Sequence, residues 1–221
     1  MTWVIAHRGS SAAEPENTLP AFERAIADGA DFVEFDVQLA ADGVPVVFHD
    51  AELDRLTPLT GPLRRRSAAE LKDAGISTLD EVLEVVRGRI GVMAELKNPH
   101  LDRVLPIVER VVSRLERDDI VISFQRRALL ETLRLEPGRR VIQHVGLGVS
   151  IRVAAGYAWG AGFLDRRLTV RGLARARSLG LATTVYTVND VERMRELAAL
   201  GVDGVFTDRP DRLRAVLRRP G

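Results

Sequence analysis

Two hydrophobic periods alternate along this chain. Short apolar runs of strand type occur at Trp3–His7, Phe32–Val37, Ile90–Leu96, Ile120–Phe124, Val141–Val145, Gly162–Asp165, Thr183–Val188 and Val202–Thr207. The later runs are separated by stretches whose apolar residues fall three and four apart, the spacing of one helix face. These are Asp102–Leu115, Arg127–Leu135, Ile151–Trp159, Arg171–Leu179, Val191–Leu200 and Pro210–Leu217. Near the start, Thr18 can cap a helix running through Phe22 and Ala25 to Asp28, with Gly29 ending it. Ser67-Ala-Ala-Glu70 and Thr78-Leu-Asp-Glu81 each read as a capping box that opens a short helix. Leu53–Arg66 keeps no period and carries Pro58, Gly61 and Pro62, so it is expected to be irregular.

The stretch Phe32–Asp50 is the most informative. Glu34 and Asp36 are two residues apart, and a strand repeats its faces every two residues, so both point one way while Val33, Phe35 and Val37 fill the other face. Asp42-Gly43 is a two-residue hairpin signal. A turn centred there pairs Ala41 with Val44 and Leu39 with Val46, and sets Asp36 opposite His49. On that register Glu34, Asp36 and His49 form one cluster, a metal site with a general acid or base beside it. Asp50, next in sequence, should then point to the opposite face and make a poor partner for His49.

Repeated strand–helix units imply parallel strands joined by right-handed crossovers. With the hairpin arm set aside the units number eight, and 221 residues lie near the low end of the usual size of a (β/α)8 barrel. The expected architecture is therefore an α/β, (β/α)8 TIM barrel with a hairpin excursion after strand 2, one domain over residues 1–221. A doubly wound open sheet is the competing fold, but no G-x-G-x-x-G follows an opening strand.

Charge narrows the function. The 32 basic and 31 acidic residues nearly balance, which argues against a nucleic-acid or membrane-surface protein held by bulk charge. Lys72 and Lys97 are the two lysines in an arginine-rich chain, which singles out Lys97. With no cysteine, any metal must sit on oxygen or imidazole. The start MTWVIAHRG lacks the features of a signal peptide, and no apolar run approaches the ~20 residues that span a bilayer, so a cytoplasmic enzyme is expected.

A barrel of this kind places its active site at the C-terminal strand ends. His7 and Arg8 end the first strand. Glu34 and Asp36 lie toward the end of the second, with His49 returning on the hairpin. Glu95 and Lys97 end the next strand, again two apart. Three carboxylates in one mouth repel and raise one another's pKa unless a cation sits among them. Oxygen ligands favour one hard divalent ion, Mg²⁺ or Ca²⁺. Arg8 and Lys97 then leave the mouth net positive and suited to a phosphate. Two flanking histidines can serve as acid and base. The residues thus point to metal-assisted phosphoryl chemistry on an ester.

The order of motifs resembles the glycerophosphodiester phosphodiesterases, of the phospholipase-C-like phosphodiesterase superfamily. The shared residues are AHRG at Ala6–Gly9, PENT at Pro15–Thr18, EFDVQLAADGVPVVFHD at Glu34–Asp50, LDRLT at Leu53–Thr57, ELK at Glu95–Lys97, SF at Ser123-Phe124, YTVN at Tyr186–Asn189 and GVDGVFTDRP at Gly201–Pro210. The resemblance implies that His7 and His49 are the acid–base pair and that Glu34, Asp36 and Glu95 hold the metal. It implies that Arg8 and Lys97 bind phosphate and that Glu16 supports the His7 side of the pocket. Products would be sn-glycerol 3-phosphate and an alcohol, from substrates such as glycerophosphocholine or glycerophosphoethanolamine. Direct attack by water and a cyclic-ester route both stay open, as does the oligomeric state. The implied partner is a small phosphodiester, with neither nucleic acid nor stable membrane insertion.

Some positions depart from the family pattern. Only Asp73–Ser77 joins the Ser67 and Thr78 helices, where relatives carry a longer loop with aromatic residues near the mouth. Tyr186 stands where many members have tryptophan; as a substrate-binding residue it offers an apolar face and a hydroxyl. His100 and His144 read as structural or exposed, and Asn189-Asp190 and Asp208 as helix caps. Two alternatives accompany the leading one. A lysophospholipase-D-like phosphodiesterase would want an exposed apolar lip, and a catalytically silent phosphate-ester-binding barrel would be expected to lose a histidine or a metal ligand.

Overall fold

The computed structural model describes residues 2–97, 104–146 and 148–218. Eight parallel strands close into a ring: β1 (Trp3–His7), β2 (Phe32–Leu39), β4 (Gly91–Leu96), β5 (Ile120–Ser123), β6 (Val141–Val145), β7 (Gly160–Leu164), β8 (Ala182–Tyr186) and β9 (Gly204–Thr207). Closure is made by β1, which pairs with β2 on one side and β9 on the other. The remaining strand, β3 (Pro45–Val47), lies outside the ring, antiparallel to β2. The expected TIM barrel with a hairpin excursion is the fold observed.

Helices cover the ring. They are α1 (Leu19–Ala27), α2 (Ala68–Asp73), α3 (Leu79–Val86), α4 (Val104–Val112), α5 (Arg126–Leu135), α6 (Ile151–Ala154), α7 (Val170–Ser178), α8 (Val191–Ala199) and α9 (Pro210–Arg218). Thr18 caps α1 by accepting from Ala21 N–H, and both predicted capping boxes form at Ser67/Glu70 and Thr78/Glu81. The sixth helix is shorter than its sequence suggested. It stops at Ala154, and Trp159 N–H already donates to Val141 O as the chain enters the sheet. His100 and the first two residues of the helix expected from Asp102 lie outside the described residues.

Strand alternation sorts the side chains into two layers. Val33, Phe35 and Val37 face outward and are fully buried with Val82, Leu83 and Val108 of the covering helices. Ile5, Met93, Ile122, Ile142 and Phe206 face inward and plug the barrel. Each fully buried side chain of this size contributes about 1.5–3 kcal/mol relative to exposure. The plug also excludes water from beneath the polar layer at the C-terminal strand ends, which sets the electrostatics there.

The hairpin register differs from expectation by one residue. Val37 pairs with Val47, Gln38 with Val46 and Leu39 with Pro45, so Asp36 faces Phe48, whose N–H donates to Asp36 O at 2.9 Å. A two-residue turn of the expected type needs positive φ at both Asp42 and Gly43, and only Gly43 has it, at 81°. The connection accordingly takes one more residue, with Gly43 N–H returning to Ala40 O at 3.1 Å. Pairing ends at Val47, and His49 reaches the mouth from a segment without strand alternation.

Candidate active site

The first strand delivers His7 and Arg8 through a tight bend. Arg8 (φ 56°) and Gly9 (φ 80°) are both left-handed, and a β-carbon on Gly9 would sit 2.6 Å from the Ala21 carbonyl carbon of α1. This close approach explains the glycine after His7-Arg8. The bend turns the Arg8 N–H onto Glu34 Oε2 at 3.0 Å.

Glu34, Asp36 and Glu95, all buried, offer oxygens within 4.8 Å of one another, forming an acidic group able to hold a metal ion. Arg8 Nε lies 3.1 Å from Asp36, while Lys97 Nζ lies 3.2 Å from Asp36 and 2.8 Å from Glu95. Burial, then Asp36, push the Glu34 pKa up to about 8. Burial would also raise Glu95, but Lys97 and His144 outweigh it and bring it down to about 2. The trio is thus only partly compensated by its two cations. An all-oxygen donor set whose Glu34 carboxyl is pushed up by burial and by its neighbouring acids fits a hard divalent ion.

Each imidazole is backed by a carboxylate. His7 Nδ1 contacts Asp208 Oδ1 at 2.7 Å, and His49 Nδ1 contacts Asp50 Oδ1 at 2.6 Å. A carboxylate only accepts, so Nδ1 carries the hydrogen and Nε2 is left to exchange a proton. Burial alone would lower the His7 pKa, but Asp208 and Glu34 hold it above the ordinary value. Asp208 is itself drawn down to about 2, burial notwithstanding, by His7, Asn189 and Ser11.

Two expectations are corrected here. Asp50 does serve His49, because pairing has ended at Val47 and face alternation no longer applies. Asp208 is not simply a cap: it accepts from His7, Ser11 Oγ at 2.9 Å and Asn189 Nδ2 at 2.6 Å. Asp190 does cap α8, accepting from Arg193 N–H. Asn189 instead takes the Asp208 N–H on its Oδ1.

A cavity of about 160 Å³ gathers His7, Arg8, Glu34, His49, Glu95 and Lys97, with Phe124, His144, Tyr186 and Phe206 as its aromatic wall. His144 is 3% exposed, so it is not a surface residue; its Nε2 lies 3.7 Å from Glu95 and its ring centroid 4.4 Å from that of Phe124. Tyr186 Oη is buried with no hydrogen-bond partner among the described residues, and burial, then Glu95, raise its pKa to about 12, so it stays a donor. Glu16 meets the His7 side through Arg8. It accepts from Arg8 at 2.9 Å and Arg55 at 2.7 Å, which places it between the first strand's end and the His49 arm.

Three contributors escaped the sequence reading. Gln38 donates from Nε2 to Phe48 O and Asp50 O, holding the backbone that carries His49. Its place two residues beyond Asp36, on the same strand face, was a usable signal. Asn17 donates to Asp36 Oδ2 at 2.9 Å from a left-handed backbone, and Arg55 bridges Asp50 to Glu16. Arg55 lies in the shared LDRLT stretch, which by itself gives it no partner.

Two carboxylate-backed imidazoles beside an acidic trio and the cations Arg8 and Lys97, at the C-terminal mouth of a barrel, fit the class of (β/α)8 phosphoesterases. Comparison with known proteins narrows this. The sequence profile of the glycerophosphoryl diester phosphodiesterase family matches residues 7–212. A glycerophosphodiester phosphodiesterase of Bacillus altitudinis is 35% identical over 96% of each chain. A phosphodiesterase of Oleispira antarctica, solved in complex with the product sn-glycerol-3-phosphate, superposes with a TM-score of 0.90 at 30% identity, covering 97% of this chain and 96% of that one. Glycerophosphodiester phosphodiesterase from Thermotoga maritima superposes at 0.82 with 30% identity and 99% coverage of both. The chain belongs to the glycerophosphoryl diester phosphodiesterase family and is an enzyme of that activity class. Among the described residues no helix is long and apolar enough to cross a membrane.

Proposed function

We propose that this enzyme hydrolyses glycerophosphodiesters such as glycerophosphocholine or glycerophosphoethanolamine to sn-glycerol 3-phosphate and an alcohol, in the cytoplasm, with His7 and His49 as its proton carriers. The observation that carries the reading is the pair of imidazoles, each with a carboxylate on Nδ1, lining one small cavity with Arg8 and Lys97. Arg8 and Lys97 supply charge to the non-bridging phosphoryl oxygens. One imidazole takes a proton from the attacking hydroxyl while the other gives one to the departing alkoxide. The Tyr186 hydroxyl donates to the glycerol portion or to a phosphoryl oxygen, with Phe124 and Phe206 beneath. A wider groove of about 310 Å³ runs on from His49 and Lys97 over Gln38, Ala51 and Ser123, and suits the alcohol portion.

Glu34, Asp36 and Glu95 would hold one divalent ion, Mg²⁺ or Ca²⁺. Bound there, it would neutralise the acids and polarise the phosphoryl group. The test is turnover of glycerophosphocholine, followed by release of sn-glycerol 3-phosphate, before and after EDTA. Activity lost with EDTA and restored by Mg²⁺ or Ca²⁺ is expected. Binding of the diester without turnover in any divalent salt would overturn the hydrolytic reading, and full activity in EDTA would remove the metal from it.

A further inference from the structure

We propose that Arg55 is a positioning residue for His49, fixing the proton-carrying arm to the phosphate side of the pocket. The inference rests on the reading of His49 as a proton carrier. Beyond Val47 that arm leaves the strand ladder. Gln38 holds its backbone and Leu53, fully buried, anchors its base, but neither restrains the His49 ring. The ring is held through Asp50, and Asp50 is held by Arg55, whose Nε donates to Asp50 Oδ2 at 2.6 Å. The same guanidinium donates from its terminal nitrogens to Glu16, at 2.7 and 3.4 Å. Glu16 also accepts from Arg8 at 2.9 Å. The result is an unbroken alternation of charge, from His49 through Asp50, Arg55, Glu16 and Arg8 to Asp36.

Arg55 is half exposed, and an isolated exposed ion pair contributes little to stability. A fork that engages two carboxylates at once does something different: it fixes the distance between them. With Arg55 removed, Asp50 is free to rotate, and His49 loses the partner that selects its tautomer and orientation. The effect should therefore appear in the chemical step and leave stability nearly untouched.

The experiment is steady-state hydrolysis of glycerophosphocholine by Arg55→Met, Arg55→Lys, Asp50→Asn and the Asp50→Asn/Arg55→Met double variant, at saturating divalent ion. Arg55→Met should lower kcat at least tenfold, with KM within threefold and the half-saturating metal concentration within twofold of wild type. Arg55→Lys should recover part of the loss, since an ammonium reaches one carboxylate but not both. The double variant should be no more than about twofold slower than Asp50→Asn, because both changes break one linkage. A kcat within twofold of wild type overturns the proposal. So does a loss confined to KM, which would make Arg55 a substrate contact, and so does a multiplicative loss in the double variant. Should Arg55→Met not fold, Arg55→Gln replaces it in the same comparison. An inactive wild-type enzyme would instead fault the hydrolytic reading, so the two failures are distinguishable.

Discussion

The two sides of the pocket reach one chemical arrangement by different means. His7 stands at the end of a ring strand, paired on both sides, and its carboxylate partner Asp208 is held by the neutral donors Ser11 and Asn189. His49 stands on an arm outside the ring, and its partner Asp50 is held by a charged, half-exposed arginine. The first side is rigid because the barrel's hydrogen-bond ladder makes it so. The second depends on a few long-range polar contacts. The Arg55–Glu16–Arg8 linkage is then the route by which a change in the excursion reaches the first side.

Replacing each histidine breaks the comparison at its strongest point. His7→Ala and His49→Ala should each lower kcat by about 10²–10⁴-fold while leaving the metal titration largely unchanged. A variant keeping more than about a tenth of the wild-type rate would remove that residue from proton transfer, being outside the usual range for such groups.

Replacing the carboxylates comes next. Asp208→Asn should cost about 10–100-fold in kcat, as loss of a partner behind a functional histidine commonly does. Its His7 pKa should fall, followed by NMR titration of the metal-free protein. The sign for stability follows from the two shifts. Asp208 lies below its ordinary 3.8 and His7 above its ordinary 6.5, so the pair stabilises the fold fully between those values. That stability fades as pH falls through about 2, where Asp208 protonates, and as pH rises through the elevated His7 pKa, where His7 is neutralised. The difference in stability between wild type and Asp208→Asn should accordingly be largest from about pH 4 to 6.5. A difference that keeps growing above that window would contradict the pairing.

Salt should sharpen the contrast by a smaller amount. Screening weakens the Arg55 bridge, an ion pair on a half-exposed guanidinium, and acts less on the bonds Asp208 accepts from the neutral donors Ser11 and Asn189. Raising ionic strength from about 0.05 to 0.5 M should lower wild-type kcat about twofold to fivefold, estimated from the small worth of exposed ion pairs, and leave kcat of Arg55→Met nearly flat. Equal salt sensitivity in both proteins would mean that the effect arises elsewhere.

Much of this was legible before folding. The eight strand-like runs, the capping boxes at Ser67 and Thr78 and the shared face of Glu34 and Asp36 all follow from local periodicity and propensity, which neighbouring residues determine. What sequence spacing could not supply was any contact made off the regular ladder. Asp50 was assigned the wrong face because strand alternation was carried past Val47, where pairing had already stopped. Asp208 was read as a cap because its real partner is His7, 201 positions away, and Arg55 was overlooked because its partner Glu16 lies 39 positions away.

The sequence by itself determined the barrel and the acid trio, because strand periodicity and the C-terminal position of strand ends are local consequences of residue type; it brought His49 to the mouth only through a register one residue off. Tertiary structure alone decided which carboxylate stands behind each imidazole, the one-residue shift at Gly43, and the bridge through Arg55. Those depend on how far the chain travels once hydrogen-bonded pairing ends, and on which distant side chain closes the remaining gap.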